Sequence, residues 1–404
     1  MSQLNYLKKL LDGVEVEWTT LGNEHVVDIA NGGRKPVKAA LRVAGETPYY
    51  GANNIQDYVD GYTHDGEFVL IAEDGSASLE NYSIQYATGR FWANNHVHVV
   101  RGKEGLNTRY LYHYLCIVNF VPFLSGGGRA KLTKGKLVDI PLPIPCLNNP
   151  EKSLAIQAEI VRILDAFTAM TAELTAELSM RKKQYNYYRE QLYCFDDEVE
   201  RLPMGHENIG EFIRGGGLQK KDFTESGVGC IHYGQIYTHY GSSANETKTC
   251  VSIEFAKKAR KASSGNLVIA TTSENDEDVC KAVAWLGNED IAVSSDACIY
   301  KHKLNPKYVS YFYQTELFQK QKRKYITGTK VRRVNADNLA KILIPLPSTE
   351  EQDSIVTILE KFDILTSSIQ EGLPREIDLR QKQYEYYRDL LLSFPKLEGE
   401  AYHE

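Results

Sequence analysis

The stretch RKKQYNYYREQLYCF, at residues 181–195, returns as RQKQYEYYRDLLLSF at residues 380–394. Nine of the fifteen positions are identical, and the three tyrosines and both outer arginines keep their places. Apolar residues precede each copy at steps of three and four, the spacing of one helix face. A long helix with a narrow apolar face needs a partner helix, and its own copy is the obvious one. The repeat therefore predicts two helical arms that pair with each other.

The two arms differ in continuity. The first is predicted to be one helix of about 40 residues, or about 60 Å. The second is interrupted at Gly372-Leu373-Pro374 and then resumes. The first arm also holds TAELTAEL at 171–178, a tandem tetrapeptide. Four residues advance a helix by about 6 Å and keep its apolar face almost in phase, so we interpret the unit as a length module.

The repeat extends over nearly the whole chain. The clearest matches outside the arms are PYYGANNI (48–55) with IHYGQIYT (231–238), ANNHVHVV (93–100) with VSSDACIY (293–300), and GGGRAKLTKGKLVDIPLPIP (126–145) with GTKVRRVNADNLAKILIPLP (328–347). Short β-branched and aromatic runs separated by Gly, Asn and Ser predict strands, with helices such as 108–119 and 306–324 between them. The proline clusters at 141–145 and 344–347 are expected to end each globular part, because proline does not fit a strand or helix interior.

The predicted fold class is therefore α+β, with a pseudo-two-fold internal repeat. Two similar globular α/β domains are separated by an antiparallel pair of long helices that pack as a coiled coil. The predicted bounds are a first globular domain with an N-terminal junction segment at 1–145, a first arm at 146–197, a second globular domain at 198–347, a second arm at 348–396, and a flexible tail at 397–404.

Composition predicts a soluble protein of the cytoplasm. The 404 residues are 42% hydrophobic and 25% charged, without an apolar run long enough for a membrane span. The seven scattered cysteines, with no CxxC pair, are expected to be reduced thiols. The net charge of −6 hides a segregation, because residues 301–341 hold eleven Lys/Arg against two acids and residues 101–141 hold seven against two. Both basic windows occupy the same relative place in the two halves.

With two similar globular parts and two arms that end in the same tyrosine-rich motif, the sequence resembles a specificity subunit of a type I restriction–modification system. The likeness covers essentially the whole chain, and PEKSLAIQAEIVRILDAF, TAELTAEL and LPREIDLRQKQYEYYRDLLLSF are similar to the IC class. The resemblance implies that each globular unit is a target-recognition domain that reads one half of a bipartite, asymmetric target in double-stranded DNA. It implies that the arms set the spacer and dock two modification subunits, which methylate adenine.

The resemblance also implies a chain with no catalysis and no cofactor of its own. S-adenosylmethionine would belong to the modification subunits, and ATP and Mg²⁺ to restriction subunits that translocate and cleave DNA. The sequence agrees in that it has no NPPY-like motif and no GxxxxGK[ST] loop. Two other classes stay open: a DNA methyltransferase with a divergent site, and a coiled-coil scaffold that does not bind DNA.

The predicted DNA contacts begin with the basic loops GGGRAKLTK and GTKVRRVN, since phosphates need Lys or Arg and base edges need Arg, Asn, Gln or His. The residues are Arg129, Lys131 and Lys134 in the first half and Lys330, Arg332 and Arg333 in the second. Two polar-aromatic stretches add Tyr50, Asn53, Asn54, His232, Tyr233 and Gln235. NGGR (31–34) and RGGGLQKK (214–221) are compatible with phosphate cradles and equally with tight turns.

Three further groups of residues have competing interpretations. His96 and His98 alternate on a predicted strand, and ordinary strand side chains explain them better than a metal site without a third ligand. Glu73-Asp74 could form an acidic pair, but Thr271-Thr272 at the matching place favours a loop. Six tyrosines cannot all face one helix seam, so some are predicted to dock partner subunits; these are Tyr185, Tyr187, Tyr188, Tyr384, Tyr386 and Tyr387.

Overall fold

A computed structural model describes residues 11, 13–126, 130–368 and 370–394. By its internal contacts the chain divides into two compact units. Unit 1 comprises Met1–Leu174 and Ile377–Glu404, and unit 2 comprises Thr175–Glu376. Each unit thus joins one globular part to portions of both arms. The domain bounds given above separate globular parts from arms instead, and they stay a prediction.

The globular part of unit 1 is built mainly of strands. Its strands are β1 (Val16–Thr20), β2 (Val27–Ile29), β3 (Ala44–Tyr50), β4 (Ile55–Val59), β5 (His64–Asp65), β6 (Phe68–Ala72), β7 (Ile84–Ala87), β8 (Arg90–Ala93), β9 (Val97–Gly102) and β10 (Pro141–Pro145). Its helices are α1 (Thr108–Leu115) and α2 (Lys134–Leu137). The first arm follows as α3 (Pro150–Leu192), and its 43 residues confirm the predicted long helix.

The globular part of unit 2 repeats this plan with more and shorter elements. Its strands are β11 (Arg201–Pro203), β12 (Gly210–Arg214), β13 (Phe223–Thr224), β14 (Val228–Ile231), β15 (Ser243–Ala244), β16 (Thr249–Val251), β17 (Lys261–Ala262), β18 (Leu267–Ala270), β19 (Thr272–Ser273), β20 (Ala282–Trp285), β21 (Ile291–Val293), β22 (Ala297–His302), β23 (Arg332–Arg333) and β24 (Leu343–Pro345). Its helices are α4 (Tyr233–Thr238), α5 (Ile253–Lys258), α6 (Pro306–Phe312), α7 (Glu316–Arg323) and α8 (Ala336–Leu339).

The second arm consists of two helices, α9 (Thr349–Ser367) and α10 (Leu373–Leu392). Gly372 lies between them with a φ of +93°, a backbone region that favours glycine. The predicted interruption of the second arm is therefore confirmed.

The sheets show that the internal repeat is structural as well as sequential. One sheet has the strand order β2-β9-β6-β7 in unit 1 and β12-β22-β18-β20-β15 in unit 2. A second sheet has the order β4-β3-β8-β5 in unit 1 and β13-β16-β14-β21-β17 in unit 2. A parallel pair joins equivalent strands in each half, with Tyr49 opposite Trp92 and Cys230 opposite Ala292. The central strands β6 and β18 are buried at every position because both of their faces are covered.

The arms pair within each unit. In unit 1 the Phe167 ring of α3 stacks on Tyr387 of α10, with centroids 5.2 Å apart. In unit 2 the Tyr188 ring of α3 stacks on Phe362 of α9, with centroids 5.7 Å apart. Early residues of the first arm thus meet late residues of the second, and late residues meet early ones. This is the pairing order of antiparallel arms.

A buried glutamine joins each globular part to its arm. In unit 1 the Gln157 side chain of α3 accepts a hydrogen bond from Asn107 N (2.8 Å) and donates to Gly105 O (2.9 Å). In unit 2 Gln352 accepts from Asn305 N (3.0 Å) and donates to Pro347 O (3.0 Å). Asn107 and Asn305 also cap the helices that begin there. The same polar contact therefore anchors the arm in both halves.

Two local interpretations need correction. The proline clusters form strands, since β10 pairs antiparallel with β1 and β24 with β11. Each is a two-stranded ladder, so both strands have an open edge that tolerates the missing proline N–H. Each cluster is the last strand before its arm, and the domain bounds at these clusters stay a prediction. The predicted helix 306–324 is two helices, because the Thr315 hydroxyl accepts from Phe318 N and starts a new one.

Every helix within the described residues is too short or too polar to span a bilayer.

Candidate nucleic-acid interface

The two basic loops occupy equivalent places on their globular parts. In unit 1 the backbones of Ser125 and Lys131 exchange hydrogen bonds of 2.9 Å, and Leu132 N donates to Glu73 O (2.8 Å), just after β6. In unit 2 Thr327 and Arg333 exchange bonds of 2.9 Å, and Val334 N donates to Thr271 O (3.1 Å), just after β18. Each loop is thus closed on itself and docked on the end of the buried central strand through backbone groups.

The charge in the unit 1 loop is partly neutralised. Lys131 Nζ lies 3.0 Å from Glu73 Oε1, and Arg34 lies 2.6 Å from Glu73 Oε2. Burial raises the pKa of Glu73, but the hydrogen bonds from Arg34 and Lys131 outweigh it and the net shift is downward. Lys134 is exposed at the start of α2, with no ion pair among the described side chains. Arg129 lies outside the described residues.

The unit 2 loop keeps more free charge. Arg332 is paired with Asp276, with Nε 2.9 Å from Oδ1, and also donates to Gly328 O (2.6 Å). Lys330 and Arg333 are exposed, and the described part of the chain offers neither an ion pair. These two cations are the residues of the predicted set best placed to neutralise an external anion.

Of the polar-aromatic candidates in unit 1, Asn53 and Asn54 are exposed and Tyr50 is half-buried. Asn53 donates to Gly75 O (2.8 Å) and accepts from Ala77 N (2.8 Å), so it holds a neighbouring loop. The Tyr50 ring packs edge-on against Phe91, and burial followed by Tyr58 raises the pKa of its hydroxyl. Within the described residues, the Asn54 side chain accepts from Ile55 N alone and its NH2 group donates to no other group.

The candidates in unit 2 are engaged inside the protein. His232 is buried and caps α4, and its side chain accepts from Gly234 N (3.2 Å). Burial, followed by the charge of Lys220, lowers the pKa of His232. Gln235 accepts from His232 N (2.9 Å) and donates to Thr249 (3.0 Å). Tyr233 is half-buried, with its backbone amide bonded to Ser294. These bonds fit a structural role, and the sequence pattern did not indicate the cap.

The six tyrosines divide as the helix spacing predicts. Tyr185 is 8% exposed and stacks on Phe362, and Tyr384 is half-buried against His113. The other four are 37% to 61% exposed; they are Tyr187, Tyr188, Tyr386 and Tyr387. Tyr188 and Tyr387 are partly exposed but still stack on the opposite arm. Tyr187 and Tyr386 are therefore the most exposed tyrosine of each repeat.

The histidine and acidic pairs are explained by packing. His98 is buried, with one ring nitrogen 2.7 Å from Leu132 O and the other 2.9 Å from the Asn31 amide. His96 lies 2.5 Å from Asp74. Among the described residues, no cluster of three or more His, Cys, Asp or Glu side chains could hold a metal ion. Glu73 forms ion pairs as described above, which sequence reasoning missed because Arg34 is distant along the chain.

The sequence of the chain matches a known family. The profile of the type I restriction modification DNA specificity domain matches residues 15–180 and again residues 207–379. A Haemophilus influenzae protein provisionally assigned as a type I restriction enzyme specificity subunit is 46% identical over 96% of this chain and 98% of its own length. A type I restriction enzyme specificity subunit of Escherichia coli is 36% identical over 98% of this chain and 99% of its own length.

Solved structures show the same fold. The S subunit of a type I restriction–modification system from M. genitalium aligns with a TM-score of 0.52 over 96% of this chain and 98% of its own, at 13% identity. A chain from a structural study of complex assembly in a type I restriction–modification system aligns with a TM-score of 0.57 over 93% and 97%, at 12% identity. The two profile matches together cover most of the chain, which therefore belongs to the type I restriction modification DNA specificity family.

Proposed function

We propose that this chain is the DNA-reading subunit of a type I restriction–modification complex. Each globular part reads one half of a bipartite, asymmetric target in duplex DNA, and the paired arms set the length of the unspecified spacer. The arms also dock two modification subunits, and restriction subunits join them. The chain itself performs no catalysis.

The observation that carries this proposal is the repeated placement of a basic loop. In both halves the loop ends at a backbone bond to the residue after the buried central strand, Glu73 in one and Thr271 in the other. The loop side chains differ, with Lys131 and Lys134 in one half and Lys330, Arg332 and Arg333 in the other. A protein that reads two different half-sites needs this combination of shared framework and distinct contacts. Arg129 belongs to the same proposed set.

The chemistry of the assembly is assigned to its partners. We assign adenine methylation with S-adenosylmethionine to the modification subunits, and ATP-driven, Mg²⁺-dependent cleavage to the restriction subunits. Supporting this, the sequence has no NPPY-like or Walker A motif. The place of action is the cytoplasm, where chromosomal DNA and these subunits meet.

The test of the spacer role is insertion of a third TAEL unit after residue 178. A helix gains about 6 Å from four residues, equivalent to one or two base pairs at 3.4 Å each. We expect methylated adenines, mapped by long-read sequencing in a host carrying the system, to keep both half-sites and to gain one or two spacer positions. An unchanged spacer would refute the ruler.

The test of the reading role is exchange of residues 18–140 for those of another family member. Only one half-site in the methylation map should change, because the second globular part is untouched. A matched control exchanges a segment of the arm, 157–167, which should leave both half-sites as they were. A map in which both half-sites change would contradict separate reading by the two parts.

A further inference from the structure

A cavity of about 300 Å³ lies in unit 2 beside the basic loop. It lies between the end of β18, the start of β22 and the residues that follow β23. The polar side chains that line it include Arg214, Thr271, Asp296, Arg333, Asn335 and Asn338. Its volume is about ten times the share of one water molecule in the liquid, enough for a tetrahedral anion with its substituents.

The equivalent place in unit 1 holds buried charged and polar groups. The correspondence is fixed by matching backbone bonds, Glu73 N to His96 O (2.8 Å) and Thr271 N to Asp296 O (2.9 Å). Glu73 therefore stands where Thr271 stands. In unit 1 the Glu73 carboxylate is 15% exposed, lies between Arg34 and Lys131, and has the buried His98 ring 3.9 Å away. Unit 1 thus carries its own anion at this point.

Unit 2 lacks that carboxylate. Thr271 is neutral, and its hydroxyl donates to Asp296 O (2.9 Å). Arg214 donates through Nε to Ser295 O (3.2 Å), and Arg333 has no side-chain partner among the described residues. The carboxylate in the lining is Asp296, so each half has two cations and one carboxylate at this place. In unit 1 both cations are ion-paired with Glu73, whereas in unit 2 neither guanidinium has an ion pair among the described residues. The two arginines of the cavity are therefore open to an added anion.

We propose that this cavity binds one phosphodiester group of the DNA backbone, held by Arg333 and Arg214. The inference rests on the proposed function, since it requires that unit 2 meets duplex DNA. Guanidinium groups bind phosphate oxygens through paired, charge-assisted hydrogen bonds, and the Asn335 and Asn338 amides add neutral donors. A cation is excluded by the charge of the two arginines. The two halves then differ in the source of the anion at this place: unit 1 supplies it from its own Glu73 side chain, and unit 2 takes it from the DNA phosphate.

The test introduces the unit 1 carboxylate into unit 2. Thr271→Glu places a negative charge beside Arg333, and Thr271→Gln has nearly the same size without the charge. Each variant is assembled with its modification subunits, and its affinity for a duplex carrying the target is measured over a series of salt concentrations. The logarithm of affinity falls with the logarithm of salt by about 0.9 per phosphate neutralised. Thr271→Glu and Arg333→Gln should each flatten that slope by about 0.9, and Thr271→Gln should not.

The two changes should also be non-additive, because both abolish the same contact. The variant with both Thr271→Glu and Arg333→Gln is expected to have the slope of either alone. A scan of the duplex with single methylphosphonates, which remove one backbone charge each, should find one position that weakens the wild type and not Arg333→Gln.

Each result decides between the claims. A wild-type complex without salt-dependent binding to the duplex would overturn the proposed function and this inference together. A steep wild-type slope with equal slopes for Thr271→Glu and Thr271→Gln would overturn the phosphate site alone. Normal assembly with the modification subunits in every variant shows that a lost slope does not come from misfolding.

Discussion

The buried contact between Gln157 and the start of α1 gives a sharp prediction about stability. Gln157 is fully buried, and its side chain satisfies Asn107 N–H and Gly105 C=O at 2.8 and 2.9 Å. Gln157→Leu keeps the volume and removes both of these bonds, together with the bond that Gln157 donates to Ser153 Oγ (2.8 Å). An unsatisfied buried group costs about 1–3 kcal/mol, so two cost about 2–6 kcal/mol. Added apolar burial returns about 1–2 kcal/mol.

The net loss in the free energy of unfolding is then about 1–4 kcal/mol, from the lower ends and the upper ends of the two ranges. For a unit of about 200 residues, 1 kcal/mol shifts the midpoint of thermal unfolding by about 2–4 °C. Differential scanning calorimetry of the full chain should show a transition lowered by about 2–16 °C. Gln352→Leu should produce a comparable fall, because Gln352 accepts the equivalent bond from Asn305 N and donates a second one to Pro347 O.

The matched control is Gln184→Leu on the same helix. Gln184 is exposed, and its side chain accepts from Arg181 and from no other described residue, so its loss should change stability by less than about 0.5 kcal/mol. If Gln157→Leu were as mild as Gln184→Leu, the reasoning that treats these bonds as the anchor of the arm would be wrong.

Three further outcomes are expected. Burial lowers the pKa of His302 to about 4, below the ordinary value of about 6.5, so the stability that its neutral form contributes is complete above pH 6.5 and is lost as pH falls towards 4. Urea titrations should show that the free energy of unfolding falls less between pH 6.5 and 4 for His302→Phe than for the wild type, and an equal fall would contradict this. Asn107→Ala removes the cap that accepts from Arg109 N and Tyr110 N and should cost about 1 kcal/mol in the same titrations. The control Asn186→Ala, at an exposed position inside α3, should instead stabilise slightly, because alanine favours the helix more than asparagine does. The double variant Tyr187→Ala, Tyr386→Ala should bind modification subunits at least tenfold more weakly in pull-down titrations. Its melting temperature should stay unchanged, since both rings are exposed. Unweakened binding would remove these tyrosines from the proposed docking surface.

The arms could be predicted from the sequence because their signal is local and repeated. Apolar residues at helical spacing over some forty positions predict a single long helix, and α3 runs without a break from Pro150 to Leu192. The interruption of the second arm followed from Gly372 and Pro374, which act through their own backbone geometry. The internal repeat supports each of these assignments, because the same pattern occurs in both halves.

The parts that could not be predicted depend on contacts between distant residues. The strands formed by Pro141–Pro145 and Leu343–Pro345 are edge ladders, and only the pairing with β1 and β11 makes proline acceptable there. Glu73 meets Arg34 and Lys131 across 39 and 58 positions of sequence, so neither partner was visible in a local window. The His232 cap on α4 is local, and it was missed because histidine is not one of the usual N-cap residues. Its contact with a base stays a prediction.

The two halves keep their backbone contacts and exchange their charges, and this explains how one framework can serve two recognition tasks. Leu132 N to Glu73 O and Val334 N to Thr271 O use no side-chain atoms, so substitutions in the loops leave the docking intact. The side chains beside these bonds are then free to diverge, and they have done so, from a filled ion-pair network in unit 1 to an open, positively charged cavity in unit 2. Since the backbone fixes where each loop lies and the side chains fix what it binds, a change of specificity requires no change of fold. The same logic makes Thr271→Glu a fair test: the position is already known to hold a glutamate in the other half.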